Sequence, residues 1–142
     1  MAIRLEHANL AVRDLEAMLQ FVQTALPDFK VRAEGRNPQG RRWLHVGTDA
    51  TYLALNQVDE APLEPWQPYG NKPGLNHLGY EVDDVAALRA RLRSAGYRDS
   101  TVPNSHPHRT RVYFYDAEGN DWEFVEYHSA DPAQRNDYQL GE

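Results

Sequence analysis

Two histidines and one glutamate stand out as groups that could hold a metal ion together. His7-Ala-Asn-Leu-Ala-Val-Arg-Asp aligns with His77-Leu-Gly-Tyr-Glu-Val-Asp-Asp at a constant offset of 70, so the two imidazoles open two copies of one pattern. If the copies are related by a pseudo-twofold axis, residues at equivalent points of their first strands approach each other, as two nitrogen donors must to share a metal. Glu123 lies between Trp122 and Phe124, where a carboxylate is costly to bury unless paired or coordinated. Glu126 competes for that role, but strand alternation puts it on the opposite face from Glu123. The chain contains no cysteine, which leaves nitrogen and oxygen donors and suits Fe(II), Mn, Ni or Zn acting on oxygenated substrates.

The elements that must position these groups follow from periodicity. Each copy starts with strand alternation and changes to a helical period after Asp14 or Asp84, both candidate N-caps. Leu15, Met18, Leu19 and Val22 form the apolar stripe of the first helix, which Leu26-Pro27 ends. Val85, Leu88 and Leu92 form the second stripe, with Gly96 as its stop. Leu10 and Val12 must face the first helix, leaving His7, Asn9 and Ala11 on the other side of the sheet; His77, Gly79 and Glu81 are their equivalents. Hairpins follow at an offset of 69, with Trp43–Val46 over Val112–Tyr115 and Tyr52–Leu55 over Asp121–Phe124. Ala54 thereby takes the place of Glu123 in the first copy.

Each half reads strand, helix, then three strands. The expectation is one α+β domain of two βαβββ modules forming a metal-binding cup of mixed β-sheet. The modules span 3–58 and 75–128, joined by a proline-rich linker at 59–74 and followed by a polar tail at 129–142 that is expected to fray. The 142 residues carry 15 Lys and Arg against 21 Asp and Glu, a net charge of -6 that argues against nucleic acid or an anionic membrane as partner. No run approaches the roughly 18 apolar residues of a membrane span. Arg4, Glu6 and His7 occupy the stretch where a secretory signal would be apolar, so a cytoplasmic location is expected.

With its paired modules, a His in the first strand of each, and the ending Asp116-Ala-Glu-Gly-Asn-Asp-Trp-Glu-Phe-Val-Glu126, the sequence resembles the vicinal oxygen chelate superfamily from Ile3 to Tyr127. That superfamily includes glyoxalase I, bleomycin-resistance proteins, fosfomycin-resistance enzymes and extradiol dioxygenases. The resemblance implies a divalent metal held by His7, His77 and Glu123, with a small substrate bound through vicinal oxygens. Ala54 stands where glyoxalase I has a second Glu, which weakens that reading.

Among three-ligand relatives, extradiol dioxygenases carry a Tyr ten residues before the ligand Glu, and Tyr113 stands there. The resemblance makes Tyr113 a catalytic candidate, with His45 as a substitute base and His108, in the loop leading to the Tyr113 hairpin, as a third candidate. Asn56 is near the place of the base His that such dioxygenases carry. Asn9, His106 and Arg109 join Asn56 as substrate-binding candidates. Fosfomycin-type thiol transfer is the second chemistry, and a metal-free binding protein the alternative class. Relatives also imply a homodimer, with exchange of modules between chains as one arrangement.

Overall fold

The computed structural model describes residues 2–140. It divides into two compact units, Met1–Pro65 and Trp66–Glu142. Among the described residues, no helix is long and apolar enough to cross a membrane.

The first unit runs β1 (His7–Val12), α1 (Leu15–Ala25), β2 (Lys30–Arg36), β3 (Arg42–Gly47) and β4 (Tyr52–Gln57). Its sheet has the order β1-β4-β3-β2, with β1 parallel to β4 and the other pairs antiparallel. The Asp14 carboxylate accepts from Ala17 N at 3.0 Å, which supplies the N-cap read from the sequence. The core side of α1 comprises Leu15, Met18, Phe21, Val22 and Ala25, packed with Val12, Leu44, Val46, Leu53 and Leu55. Leu19, expected in this stripe, is only half-buried. Phe21 and Ala25 take its place, because the contact face turns toward the i, i+3, i+7 row that starts at Met18.

The second unit repeats the plan with β5 (His77–Glu81), α2 (Val85–Ser94), β6 (Arg109–Tyr115) and β7 (Asp121–Tyr127). The sheet order is β5-β7-β6, with β5 parallel to β7. Asp84 caps α2 by accepting from Ala87 N at 2.8 Å. Gly96 stops it with φ +86, while Gly96 N and Tyr97 N donate to Arg93 O and Leu92 O. Only glycine takes that left-handed turn without strain. Val85, Leu88 and Leu92 then pack with Val112, Phe114, Trp122 and Phe124 in the second core.

One expected strand is missing from this sheet. The segment after α2 pairs only through the bridge Asp99↔Phe114. Two backbone bonds make that bridge, Ser100 N to Tyr113 O and Tyr115 N to Arg98 O, and beyond it side chains take over: Tyr113 N donates to Thr101 Oγ1, and Thr101 N donates to Asp99 Oδ1. Such local bonds turn the chain away from a strand, and Pro103 has no N–H to resume one.

Asp99 also ties this segment to α2 by accepting from Arg89 Nε and Arg93 Nε, each at 2.8 Å. Burial raises its carboxyl, but the bonds from Arg89 and Thr101 outweigh that and lower it from 3.8 to about 2. A depressed folded-state value stabilises the fold above the unfolded one, and the contribution is lost as pH falls through the folded one. Asp99→Asn is therefore expected to lower the urea midpoint at pH 6. Its gap to the wild type should narrow as pH drops from 3.8 toward 2, and a gap independent of pH would refute the assignment.

Part of the tail makes contacts with the second unit's sheet among the described residues. A short helix, α3 (Pro132–Arg135), brings Arg135 onto Glu81 through two hydrogen bonds and over the Tyr127 ring at 3.8 Å.

Candidate metal and substrate site

Register assigns the faces in each unit. In the second, β7 places Asp121, Glu123 and Val125 opposite Tyr115, Tyr113 and Arg111 of β6 and beside His77, Gly79 and Glu81 of β5. Trp122 and Phe124 alternate onto the core side. Glu126 does so too, accepting from Val85 N at the start of α2, so it is separated from Glu123 as alternation requires.

On the face away from the helix, His77 Nε2 lies 2.9 Å from Glu123 Oε2. His77 Nδ1 lies 2.6 Å from Asn76 Oδ1, and Asn76 Nδ2 donates to Pro68 O. The amide orientation thus follows from its second bond, which makes Nδ1 the protonated nitrogen and turns Nε2 toward the carboxylate. Nε2 and Glu123 Oε2 stand at hydrogen-bonding distance from each other.

Tyr113 approaches the His77 ring edge-on at 5.7 Å and donates a hydrogen bond to Glu123. Burial, then the Glu123 charge, push its hydroxyl up to about 12, against the pull of Arg111. Arg111 Nη1 stands 4.0 Å from the other Glu123 oxygen. Gly79 keeps the carboxylate open, since a Cβ there would lie 3.8 Å from Glu123 Oε2 and a longer side chain would cover it.

The first unit carries the equivalent face. His7, Asn9 and Ala11 lie beside Tyr52, Ala54 and Asn56 of β4, which pair with Gly47, His45 and Trp43 of β3. His7 stacks on Tyr52 at 4.7 Å, and Tyr52 stacks on His45 at 4.7 Å. Arg32 lies over Tyr52 at 4.3 Å. Asn56 Nδ2 donates to Asn9 Oδ1 at 2.6 Å, so these two candidates are bonded to each other. His7 Nδ1 is 2.9 Å from Glu6 Oε1. Each histidine thus has an oxygen of the preceding side chain on Nδ1, a correspondence visible in the sequence once the offset of 70 is extended back by one residue.

The hairpin alignment at 69 needs correction. Ala54 pairs with His45 and its counterpart Glu123 pairs with Tyr113, so His45 corresponds to Tyr113 at an offset of 68. The cause is turn length: the first hairpin closes from Gly47 to Tyr52, whereas the second has one more residue between Tyr115 and Asp121. Two of the catalytic candidates therefore occupy equivalent positions.

Other candidates are engaged elsewhere. Arg109, only 3% exposed, donates from Nη1 to Arg135 O and Asp137 O. His106 Nε2 lies 3.0 Å from Asp137 O, and its Nδ1 accepts from His108 N. The His108 ring packs against His106 at 5.8 Å. All three thus belong to the anchorage of the tail and the start of β6. Among the described residues, no group of three or more His, Asp or Glu is arranged to hold a metal ion; the structure brings together His77 and Glu123, and His7 belongs to the other unit.

Solved structures of similar fold support the architecture. A glyoxylase/bleomycin resistance protein/dioxygenase domain from Frankia sp. EAN1pec is 23% identical, with a TM-score of 0.72 over 89% of this chain and 99% of its own. A glyoxalase family protein from Bacillus cereus has a TM-score of 0.73 at 12% identity, covering 89% and 95%. The fosfomycin resistance protein FosX from Listeria monocytogenes, complexed with Mn(II) and sulfate, has a TM-score of 0.66 at 16% identity, covering 95% and 98%. No curated protein matches the sequence. The family profile of the Glyoxalase/Bleomycin resistance protein/Dioxygenase superfamily matches residues 4–124, and the chain, with its two strand-helix-strand units, belongs to that superfamily.

Proposed function

We propose that the protein is a metal-dependent enzyme acting on a small substrate with two adjacent oxygens, and that its reaction is of the ring-cleaving dioxygenase class. The observation that carries this reading is the approach of His77 Nε2 to Glu123 Oε2 on an open sheet face, with Tyr113 beside both. The donors fit a divalent ion: one oriented imidazole, one carboxylate left open by Gly79, and no thiolate. His77 and Glu123 would hold it, with His7 as the third ligand. When bound, the ion supplies Lewis acidity toward substrate oxygens and, as Fe(II), affinity for O₂.

The chain's own groups do the rest. Tyr113, with its hydroxyl raised to about 12, stays protonated at neutral pH and can turn its one hydrogen from Glu123 to a phenolate oxygen of the substrate. His45 is the candidate base on the first unit's equivalent face, and Asn9 and Asn56 offer amide contacts beside it. Arg111 near Glu123 favours a second reading, a fosfomycin-type transferase, because a guanidinium suits a phosphonate.

Oxygen uptake with catechol by the Fe(II)-loaded protein tests the first reading, and thiol consumption with fosfomycin under Mn(II) tests the second. Tyr113→Phe is expected to slow ring cleavage by about a hundredfold, the usual worth of a placed proton donor. Absence of O₂ uptake, or full activity in Tyr113→Phe, would overturn the first reading. Tight binding of a ligand returned unchanged, without metal, would make the protein a binder instead.

A further inference from the structure

The second unit contains a cavity of about 600 Å³ that the proposed reaction does not use. It lies between the segment preceding β5, the turn after α2 and the end of β6. Trp66, Tyr69, Tyr97 and Tyr115 line it with aromatic rings, and Arg98 and Asp116 are its charged residues.

These rings are held in place by identifiable contacts. The Trp66 ring lies close against Gly74, where a Cβ would come within 2.3 Å of Cη2. The Tyr69 hydroxyl donates to Asp121, whose carboxylate also accepts from Ser100 Oγ. The backbone of Tyr97 is fixed by its bond to Leu92 O, and Tyr115 lies beneath the Arg98 guanidinium at 4.7 Å.

The two charges differ in what remains available to a ligand. Asp116 is spent: Oδ1 accepts from Glu118 N and Asn120 N, and Oδ2 accepts from Asn120 Nδ2 and Trp122 Nε1. Arg98 is exposed and makes no ion pair among the described residues. Burial, reinforced by Asp121, raises the Tyr69 hydroxyl, which therefore adds no negative charge at neutral pH. What faces the cavity is a set of aromatic rings and one cation that lies over the Tyr115 ring and has no ion pair among the described residues.

We propose that this cavity is a second ligand site, taking a small planar aromatic anion whose ring stacks among Trp66, Tyr97 and Tyr115 while its charge pairs with Arg98. The guanidinium suits a carboxylate or sulfonate because it presents paired donors in one plane. None of the residues invoked is a metal-ligand candidate, so occupancy does not depend on the metal.

Isothermal titration with naphthalene-2-carboxylate and with its uncharged isostere, naphthalene-2-carboxamide, tests the site. The carboxylate is expected to bind once per chain and at least about tenfold more tightly than the amide, as an added charge-assisted pair implies. Arg98→Ala should abolish that preference and leave the amide unchanged, while Trp66→Ala should weaken both ligands. His77→Ala should bind both as the wild type does. No saturable binding, an undiminished preference in Arg98→Ala, or loss of binding in His77→Ala would each overturn the proposal. Arg98 is exposed, so its variant stays informative even if Trp66→Ala fails to fold.

Discussion

Glu123→Ala is expected to lower the affinity for Mn(II) and Zn(II) by at least about a hundredfold, measured by titration calorimetry on protein stripped of metal. Loss of an outer-shell partner alone typically costs 10–100-fold, and loss of the anionic donor removes a bond and the charge that balances the cation. His77→Ala should fall as far. Glu126→Ala is the control, because its carboxylate serves Val85 N on the opposite side of the same strand. A fall in all three alike would mean general destabilisation, and no fall in Glu123→Ala would sink the metal reading.

The same titration addresses the third ligand. His7→Ala mixed with Glu123→Ala restores one intact set per dimer if modules are exchanged between chains, and none if each site closes within one chain. Recovery of about half the wild-type metal content in the isolated heterodimer, or about a quarter in a statistical one-to-one mixture, is the sign of exchange. No recovery would assign His7, His77 and Glu123 to one chain.

The second large effect concerns stability. Trp122→Ala should cost about 3–5 kcal/mol, the range for removing a large aromatic side chain from a packed core. Trp122 is 2% exposed, stacks on Tyr80 at 6.0 Å and pairs across the sheet with Phe114. Its Nε1 also donates to Asp116 Oδ2 at 2.9 Å, within the turn that sets the register of β6 against β7. Trp122→Phe keeps most of the apolar contact but takes one donor from a buried carboxylate, at a cost of about 1–3 kcal/mol. Urea unfolding followed by circular dichroism measures both. A loss under about 1 kcal/mol for the alanine variant would mean that the site collapses to fill the space.

The two variants together link fold to site. Glu123 is next to Trp122, so the ring that anchors β7 in the core also directs the neighbouring carboxylate outward. Trp122→Ala should therefore weaken metal binding as well as stability, through the loosened register.

Local periodicity made much of this protein readable from its residues. Alternation in β1 and β5, the change to a helical period after Asp14 and Asp84, and the stop at Gly96 depend on neighbours only a few positions away. The recurrence of a histidine at an offset of 70, with an oxygen-bearing side chain before it, belongs to the same class of signal. So does the separation of Glu123 from Glu126, since a strand has only two faces.

Long-range bonds decided the rest. The pairing of Tyr113 with Glu123 and of His45 with Ala54 depends on one extra residue in a turn, which moves every partner along the ladder. The strand expected directly after α2 gave way to bonds with the Thr101 hydroxyl and the Asp99 carboxylate, whose competition with the ladder has no periodic signature. Arg109 and His106 looked available for a substrate, yet they hold the carbonyls of a tail about thirty residues downstream. Sequence alone determined which side chains share a strand face, because that is local geometry. Tertiary structure decided which of them remain open for chemistry, because hydrogen-bond capacity is shared among partners distant in the chain.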